Sequence, residues 1–457
     1  MDQIVANSTV HNDIAYHIHS QTNPLVHEKE GPVVITRGAG AHVFDADGRR
    51  YVDAMAGLWC ASLGFSNKRL IDAATQQYAQ IGFYHTFFHR TSAAVAALAE
   101  KLVHLSGMAG GKAYFATSGS EANETMVKLA WLYHKANGKP EKRKIIARQK
   151  AFHGSTIAAA SMCGLPFMHR EYGLPIAGFI HTTTPDPYHG PAEGESEAAY
   201  LDRLIADLEA MIASEGAETI AAFIAEPIMA GGGIIVPPEG YFARVRQVLE
   251  KNDILLLADE IVCGFHRTGN WFGQQTVGMS PDMMAMAKGL SSSYFPISAV
   301  VVNGAVYDAL RAINREGGMF GHGFTNSGHP VGAAVANEAI KIYEERDMSV
   351  HVREIGGKIR ARLDALAENS PIVGEVRGAG LMIGIEFVAD KPSRTPFPES
   401  MKVGQKFDRI AFGHGLILRC MGDTVALAPP LIIDEPVAEE ILEKFAATLQ
   451  ELTAEVL

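Results

Sequence analysis

The chain has 457 residues, 47% hydrophobic and 20% charged, with 40 Lys plus Arg against 51 Asp plus Glu and a net charge of −11. Such a length allows two or three domains, and the composition excludes disordered and collagen-like chains. With an acidic balance and no basic tail or stripe, there is no electrostatic footing for a nucleic-acid partner.

In chain order, residues 1–30 carry His11, Asp13, His17, His19, Glu28 and Glu30 and no apolar stretch of the signal-peptide kind. Residues 41–53 read as two short strands joined by an Asp-Gly turn. Ala93 to Val103, rich in Ala and Leu, reads as a helix. Strands are then expected at Ala113 to Thr117, Lys144 to Arg148, Ile220 to Ala225, Ile254 to Ala258, Met283 to Ala287 and Ile297 to Val302, with helical stretches between them. Continuous apolar strands alternating with helices imply a sheet covered on both faces, hence an α/β region with a largely parallel sheet. Beyond about residue 332 two long helices, Gly332 to Arg346 and Val352 to Glu368, lead to a strand at Leu381 to Val388 and an exposed loop at 390–401. Strands near Leu416 to Arg419 and Thr424 to Ala428 and a last helix, Pro436 to Leu452, complete a smaller α+β region.

The expected division is therefore an N-terminal segment, 1–55, packing with the small region, a large domain, 56–331, and a C-terminal domain, 332–457. No apolar run approaches the roughly 18 residues of a membrane span. Cys60, Cys163, Cys263 and Cys420 form no C-x-x-C pair, which argues against a disulfide framework or zinc site and suits a reducing, cytoplasmic location. No metal and no membrane partner are expected.

Glu226, Asp259 and Lys288 each stand where an expected strand stops, 33 and then 29 residues apart, about one β-α-β unit each. In such sheets ligands bind outside the carboxyl ends of the strands, so the three converge on one cleft. Ordinary strand ends are also polar, and the coincidence of three in phase is what favours a site. An acid and a lysine there suit an aldehyde cofactor: the amine condenses with the aldehyde, and the carboxylate keeps a ring nitrogen protonated. Thr117-Ser-Gly-Ser-Glu-Ala-Asn-Glu124 follows a strand and opens a helix. Ser118-x-x-Glu121 is a capping box, and Gly119 permits close backbone approach. The free amides of such a turn bind phosphate, although a cap without a ligand has the same sequence. No Walker A loop or dinucleotide fingerprint is present at Gly111-Lys112 or Gly378-Ala-Gly380.

Leu257-Ala-Asp-Glu-Ile-Val-Cys-Gly-Phe-His-Arg-Thr-Gly269, followed by Lys288-Gly-Leu-Ser-Ser, closely resembles the signature of class III aminotransferases, pyridoxal-phosphate (PLP) enzymes of fold type I. Thr117-Ser-Gly-Ser-Glu-Ala-Asn, His153-Gly-Ser-Thr, Glu226-Pro and Gly321-His-Gly-Phe-Thr-Asn-Ser-Gly-His-Pro330 are similar to further family motifs in the expected order. Gly57-Leu-Trp-Cys60, Phe83-Tyr-His-Thr-Phe-Phe88 and Arg419-x-x-Gly-Asp423 resemble the ω-transaminase branch, which moves amino groups from amines to pyruvate.

The resemblance implies an aspartate-aminotransferase-like large domain with a mostly parallel seven-stranded sheet beside a smaller α+β domain. It implies PLP as cofactor, Lys288 as the residue that bonds the cofactor aldehyde and shuttles the proton, and Asp259 as partner of the pyridinium nitrogen. Ser118, Gly119 and Ser120 would hold the phosphate, Ile261 and Phe152 the two ring faces, and His153 and Glu226 further cofactor contacts. Thr325 would reach the phosphate of a neighbouring subunit in a homodimer with shared sites. Trp59, Phe87, Phe88 and Phe152 would line the substrate pockets, and Arg419 would hold the pyruvate carboxylate or swing aside for an amine lacking one. The implied reaction is ping-pong transfer from an amine or ω-amino acid to pyruvate, giving alanine and a ketone or aldehyde. A decarboxylase, aminomutase or racemase on the same fold, or a non-catalytic PLP-binding protein, are the alternatives. The chain departs from the family pattern at Phe152, where a tyrosine is usual, at His266, usually glycine, and at Asn326, often tyrosine.

Overall fold

The computed structural model describes residues 8–315 and 318–457. Three short strands, β1 (Ile35–Ala39), β2 (His42–Asp45) and β3 (Arg50–Asp53), follow one another as an antiparallel meander. The main sheet is built from β4 (Lys112–Ala116), β5 (Lys144–Arg148), β6 (Phe179–Thr182), β7 (Ile220–Ala225), β8 (Leu255–Asp259), β9 (Met283–Met286) and β10 (Ser298–Val302). Their order is β4-β10-β9-β8-β7-β5-β6. All neighbours from β6 to β9 run parallel, and β10 alone is reversed, inserted between β9 and β4. This is the mixed, mostly parallel seven-stranded sheet that the resemblance implies.

Strands β7 to β10 are buried along their whole length, which accounts for their unbroken apolar sequences. The short edge strand β6 has no counterpart among the expected elements. After β10 come two long helices, Pro330–Glu345 and Met348–Asn369, then β11 (Val373–Ala379), β12 (Met382–Phe387), β13 (Leu416–Ile417), β14 (Arg419–Met421), β15 (Thr424–Leu427) and the helix Glu435–Val456. The single strand expected near Leu416 to Arg419 is two. β13 pairs in parallel with β3, whereas β14 joins the antiparallel sheet β11-β12-β15-β14, so the chain changes sheets at Leu418. Buried Arg267, just past β8, donates to the carbonyls of Leu381 (3.0 Å) and Pro429 (2.6 Å), tying the loop after β8 to the C-terminal region.

Among the described residues no helix is long and apolar enough to cross a membrane. The four cysteines are free.

Candidate active site

Strand register sets the floor of the site. Ala225 pairs with Ala258 and Asp259 with Ala285, so Glu226 follows β7 level with Asp259 at the end of β8, and Lys288 lies just beyond β9. Asp259 and Glu226 are both buried. A buried carboxylate needs partners. Oδ2 of Asp259 accepts from Nδ2 of Asn123 (2.8 Å) and lies 2.8 Å from Nδ1 of His153, while Oδ1 accepts from the Ile261 amide (3.1 Å). Asn123 stands in the first turns of the helix Gly119–Ala136, so the capped turn and the end of β8 are joined through one amide. The sequence offered no separate signal for Asn123 beyond its place in the Thr117–Glu124 string.

Glu226 accepts from the amides of Phe152 (3.1 Å) and Ala230 (2.9 Å), which shapes the loops carrying the aromatic wall. Burial pushes its carboxyl up, opposed chiefly by the neighbouring His153.

Lys288 is in the left-handed backbone region at φ +45°. Its ammonium loses hydration, which pulls its pKa down, and Asp259 and Glu226 oppose that shift while Arg419 adds to it.

The start of the helix Gly119–Ala136 is a complete capping box. Ser118 Oγ accepts from the Glu121 amide (3.2 Å), and Glu121 Oε2 accepts from the amides of Thr117 (2.7 Å) and Ser118 (3.2 Å). Among the described residues the amides of Gly119 and Ser120 have no acceptor. A Cβ on Gly119 would stand 2.7 Å from Cδ1 of Ile261, so the turn packs against the residue after the Asp259–Glu260 pair. Ser120 Oγ accepts from the Ser155 amide (3.0 Å), and a Cβ at Gly154 would meet that hydroxyl at 2.3 Å, which makes glycine obligatory in His153-Gly-Ser-Thr.

A cavity of about 1040 Å³ opens on Lys288 and is lined by Trp59, Phe152, Glu226 and Arg419. Arg419 makes no ion pair with any described residue, and partial burial lowers its pKa. It is a fork of donors facing the cavity with no carboxylate of its own. Phe87, Phe88 and Thr325 do not line this cavity. Thr325 and Phe88 are exposed, on a face where Thr86 donates to the Ser327 carbonyl (3.0 Å) and a Cβ on Gly323 would meet the Phe87 ring.

His266 is remote from this chemistry. It is buried at φ +70°, a region that glycine enters freely, and its ring packs on Trp271 (centroids 4.0 Å) with Nδ1 2.7 Å from Ser349 Oγ. Asn326 lies exposed in the turn after Thr325.

The profile of the family described as Aminotransferase class-III matches residues 25–449. The chain belongs to the class-III aminotransferases. Among similar proteins, a mitochondrial γ-aminobutyrate transaminase 1 of Oryza sativa subsp. japonica is 44% identical over 420 residues, 92% of this chain and 81% of its own. Vanillin aminotransferase of Capsicum frutescens is 44% identical over 425 residues, 92% of each chain. The ω-transaminase of Pseudomonas jessenii in complex with PMP superposes with a TM-score of 0.96 at 46% identity, covering 98% of this chain and 99% of that one. The PMP-bound aminotransferase of Vibrio fluvialis gives a TM-score of 0.96 at 41% identity, covering 99% and 100%. These neighbours place this class-III aminotransferase in the PLP fold type I, and PLP is its cofactor. The residues present fit that group: a buried carboxylate at Asp259, the part-buried Lys288, two helix amides without acceptors at Gly119 and Ser120, and Phe152 and Ile261 as apolar neighbours.

Proposed function

We propose that this aminotransferase moves an amino group from an amine or ω-amino acid to pyruvate, giving alanine and a ketone or aldehyde, in two half-reactions that alternate at one site. The observation that carries this reading is Arg419: a guanidinium without an ion pair among the described residues, on the wall of the same cavity that Lys288 lines. Two N–H donors of that fork match a carboxylate, the group that pyruvate has and a simple amine lacks. The named substrate of the rice relative, γ-aminobutyrate, is an ω-amino acid and a candidate donor.

When bound, PLP supplies an aldehyde and a protonated pyridine ring that accepts the electron pair left when the C–H bond beside the amine breaks. Asp259, fixed by Asn123, His153 and the Ile261 amide, holds the proton on the ring nitrogen. Lys288 Nζ, whose ammonium is disfavoured by burial, would take the proton from the amine-bearing carbon and deliver it to the carbon on the other side of the nitrogen, a 1,3-shift. The amides of Gly119 and Ser120 with the hydroxyls of Ser118 and Ser120 would bind the phosphate at the positive end of the helix. Ile261 and Phe152 would hold the ring, His153 and Glu226 keep these loops in place, and Trp59 with Phe152 would give the amine substituent an apolar wall.

The same reading makes the enzyme a homodimer. Phe83, Tyr84, Phe88 and Met319 are 45%, 42%, 66% and 77% exposed, beside exposed Thr325. A second copy covering that face would bury these side chains and receive Thr325 at its phosphate site and Phe87 and Phe88 at its substrate pocket. The division 1–55, 56–331 and 332–457 then corresponds to a segment that closes the small domain, a cofactor-binding domain and the small domain that carries Arg419. Four free cysteines support a cytoplasmic location.

The test is a panel of amine donors with pyruvate, following alanine. Alanine formed with a stoichiometric ketone or aldehyde, and parallel initial-rate lines, supports the reading. Carbon dioxide or an isomerised amine in place of alanine overturns it.

A further inference from the structure

The densest cluster of histidines lies outside the Lys288 site, in the N-terminal segment. The helix Thr9–Tyr16 carries Asp13 on its last turn, His17 caps its end, His19 follows in the connection, and the helix Pro24–Glu30 brings His27 back. All three imidazoles converge on one carboxylate. His17 Nδ1 lies 3.0 Å from Asp13 Oδ2, while His19 Nε2 and His27 Nε2 lie 2.8 Å and 2.9 Å from Oδ1. The rings pack close and tilted, with centroids 4.4 Å apart for His17–His19 and 4.1 Å for His19–His27. Nothing in the aminotransferase chemistry uses them.

A carboxylate amid three imidazole nitrogens is more than a surface ion pair needs. One hydrogen bond would satisfy each ring, and rings packed at 4 Å repel one another if more than one is charged. The ligand atoms of Asp13, His17 and His19 all lie within 4.8 Å of one another, and His27 reaches the same carboxylate oxygen. Three nitrogens and one oxygen are the number and kind of donors that a tetrahedral zinc-class ion takes at about 2.0–2.2 Å. Such bonds set neighbouring ligand atoms roughly 3.3 Å apart. The nitrogen–oxygen contacts to Asp13, at 2.8–3.0 Å, lie a few tenths of an ångström inside that spacing, and the ion would replace the shared protons.

From this geometry we propose that Asp13, His17, His19 and His27 form a binding site for one divalent zinc-class ion. The ion joins the two N-terminal helices into a staple. The residues directly after His19, Ser20 and Gln21, line the Lys288 cavity, so the staple fixes the strap at the cavity mouth. The site is structural, separate from the cofactor, and independent of which amine is the donor.

The holoenzyme, dialysed against a chelator, is titrated with Zn²⁺ by calorimetry, and bound metal is measured after gel filtration. The wild type is expected to bind about one ion per chain more tightly than H19A and D13N, each weakened by at least the roughly 10–100-fold that loss of even an outer partner costs a metal site. Retained cofactor absorbance reports that each variant is folded. As a second measurement, Co²⁺ should give the visible spectrum of a four-coordinate ion in the wild type and lose it in H27A. Equal Zn²⁺ affinity and stoichiometry in wild type, H19A and D13N, or a six-coordinate Co²⁺ spectrum in all of them, would show an imidazole–carboxylate hydrogen-bond cluster only and overturn the proposal.

Discussion

Nδ1 of His153 stands 2.8 Å from Oδ2 of Asp259, with both side chains buried, so the carboxylate at the end of β8 is aimed by a residue from the loop after β5. The same oxygen accepts from Asn123, and the two contacts fix its direction. Replacing His153 with Ala leaves that acceptor short of one partner in a dry site, a cost of about 1–3 kcal/mol. With PLP saturating, kcat of the amine half-reaction should fall roughly 5- to 150-fold. An unchanged kcat would mean that Asp259 keeps its aim through Asn123 and the Ile261 amide alone.

Among the described residues lining the cavity no other amine is free to replace Lys288, since Arg419 cannot give up its proton and Lys150 is engaged with Asp186 at 3.1 Å. Lys288→Ala should lose the visible absorbance of lysine-bound cofactor. Turnover should drop by at least the roughly 10²–10⁴-fold that a positioned proton carrier contributes. A variant that transaminates at the wild-type rate removes the assignment.

Much of the site was legible because its carriers are strand ends. Ile220 to Ala225 is an unbroken apolar run that stops at Glu226, and the strand expected from Ile254 ends one residue later than read, on Asp259 itself. In a parallel sheet those ends fall on one edge, so phase along the sequence becomes proximity in space. β6 was not legible: four residues with His181 among them carry little apolar signal. β11 has two glycines and the charged pair Glu375 and Arg377, and Arg377 donates to Glu386 at 2.7 Å on the paired strand. No periodicity announces a contact of that kind. The break at Leu418 was hidden for a related reason, because pairing partners decide which sheet a residue joins. Asn123 belongs with these, as its role is set by where the helix lands relative to β8. The convergence of His17, His19 and His27 on Asp13 likewise needs the turn between two short helices.

On the proposed function, Arg419 distinguishes the two half-reactions. A fork that binds only the carboxylate-bearing substrate contributes about 1.5–3 kcal/mol through charged hydrogen bonds. Arg419→Ala should therefore lower kcat/KM for pyruvate roughly 10- to 150-fold, while kcat/KM for an amine without a carboxylate changes far less. Steady-state rates with each substrate varied at saturation of the other measure both. Equal losses would make the arginine a general support of the cavity wall.

His266 supplies a pH signature that belongs to stability alone. Burial holds its imidazole down to about 3, with Arg353 adding to the effect, against about 6.5 for an exposed ring. Below pH 6.5 the unfolded chain takes up a proton there that the folded chain refuses, so the folded state loses ground by about 1.4 kcal/mol per pH unit, down to about pH 3. Above 6.5 the group contributes no slope. Glu260, pushed up to about 7 by burial, has the opposite sign: its folded form keeps a proton between about 4.5 and 7, so it favours the folded state at the acid end of that range. His266→Gly suits the φ of +70° and removes the first group while leaving the second in place. Ring contacts with Trp271 are lost, so the absolute stability of the variant reflects packing as well. The pH slope isolates the titration. Between pH 6.5 and 5.0 the wild type should lose about 2 kcal/mol more than the variant, measured by denaturant unfolding at one protein concentration. Parallel pH profiles would place the His266 ring in contact with water.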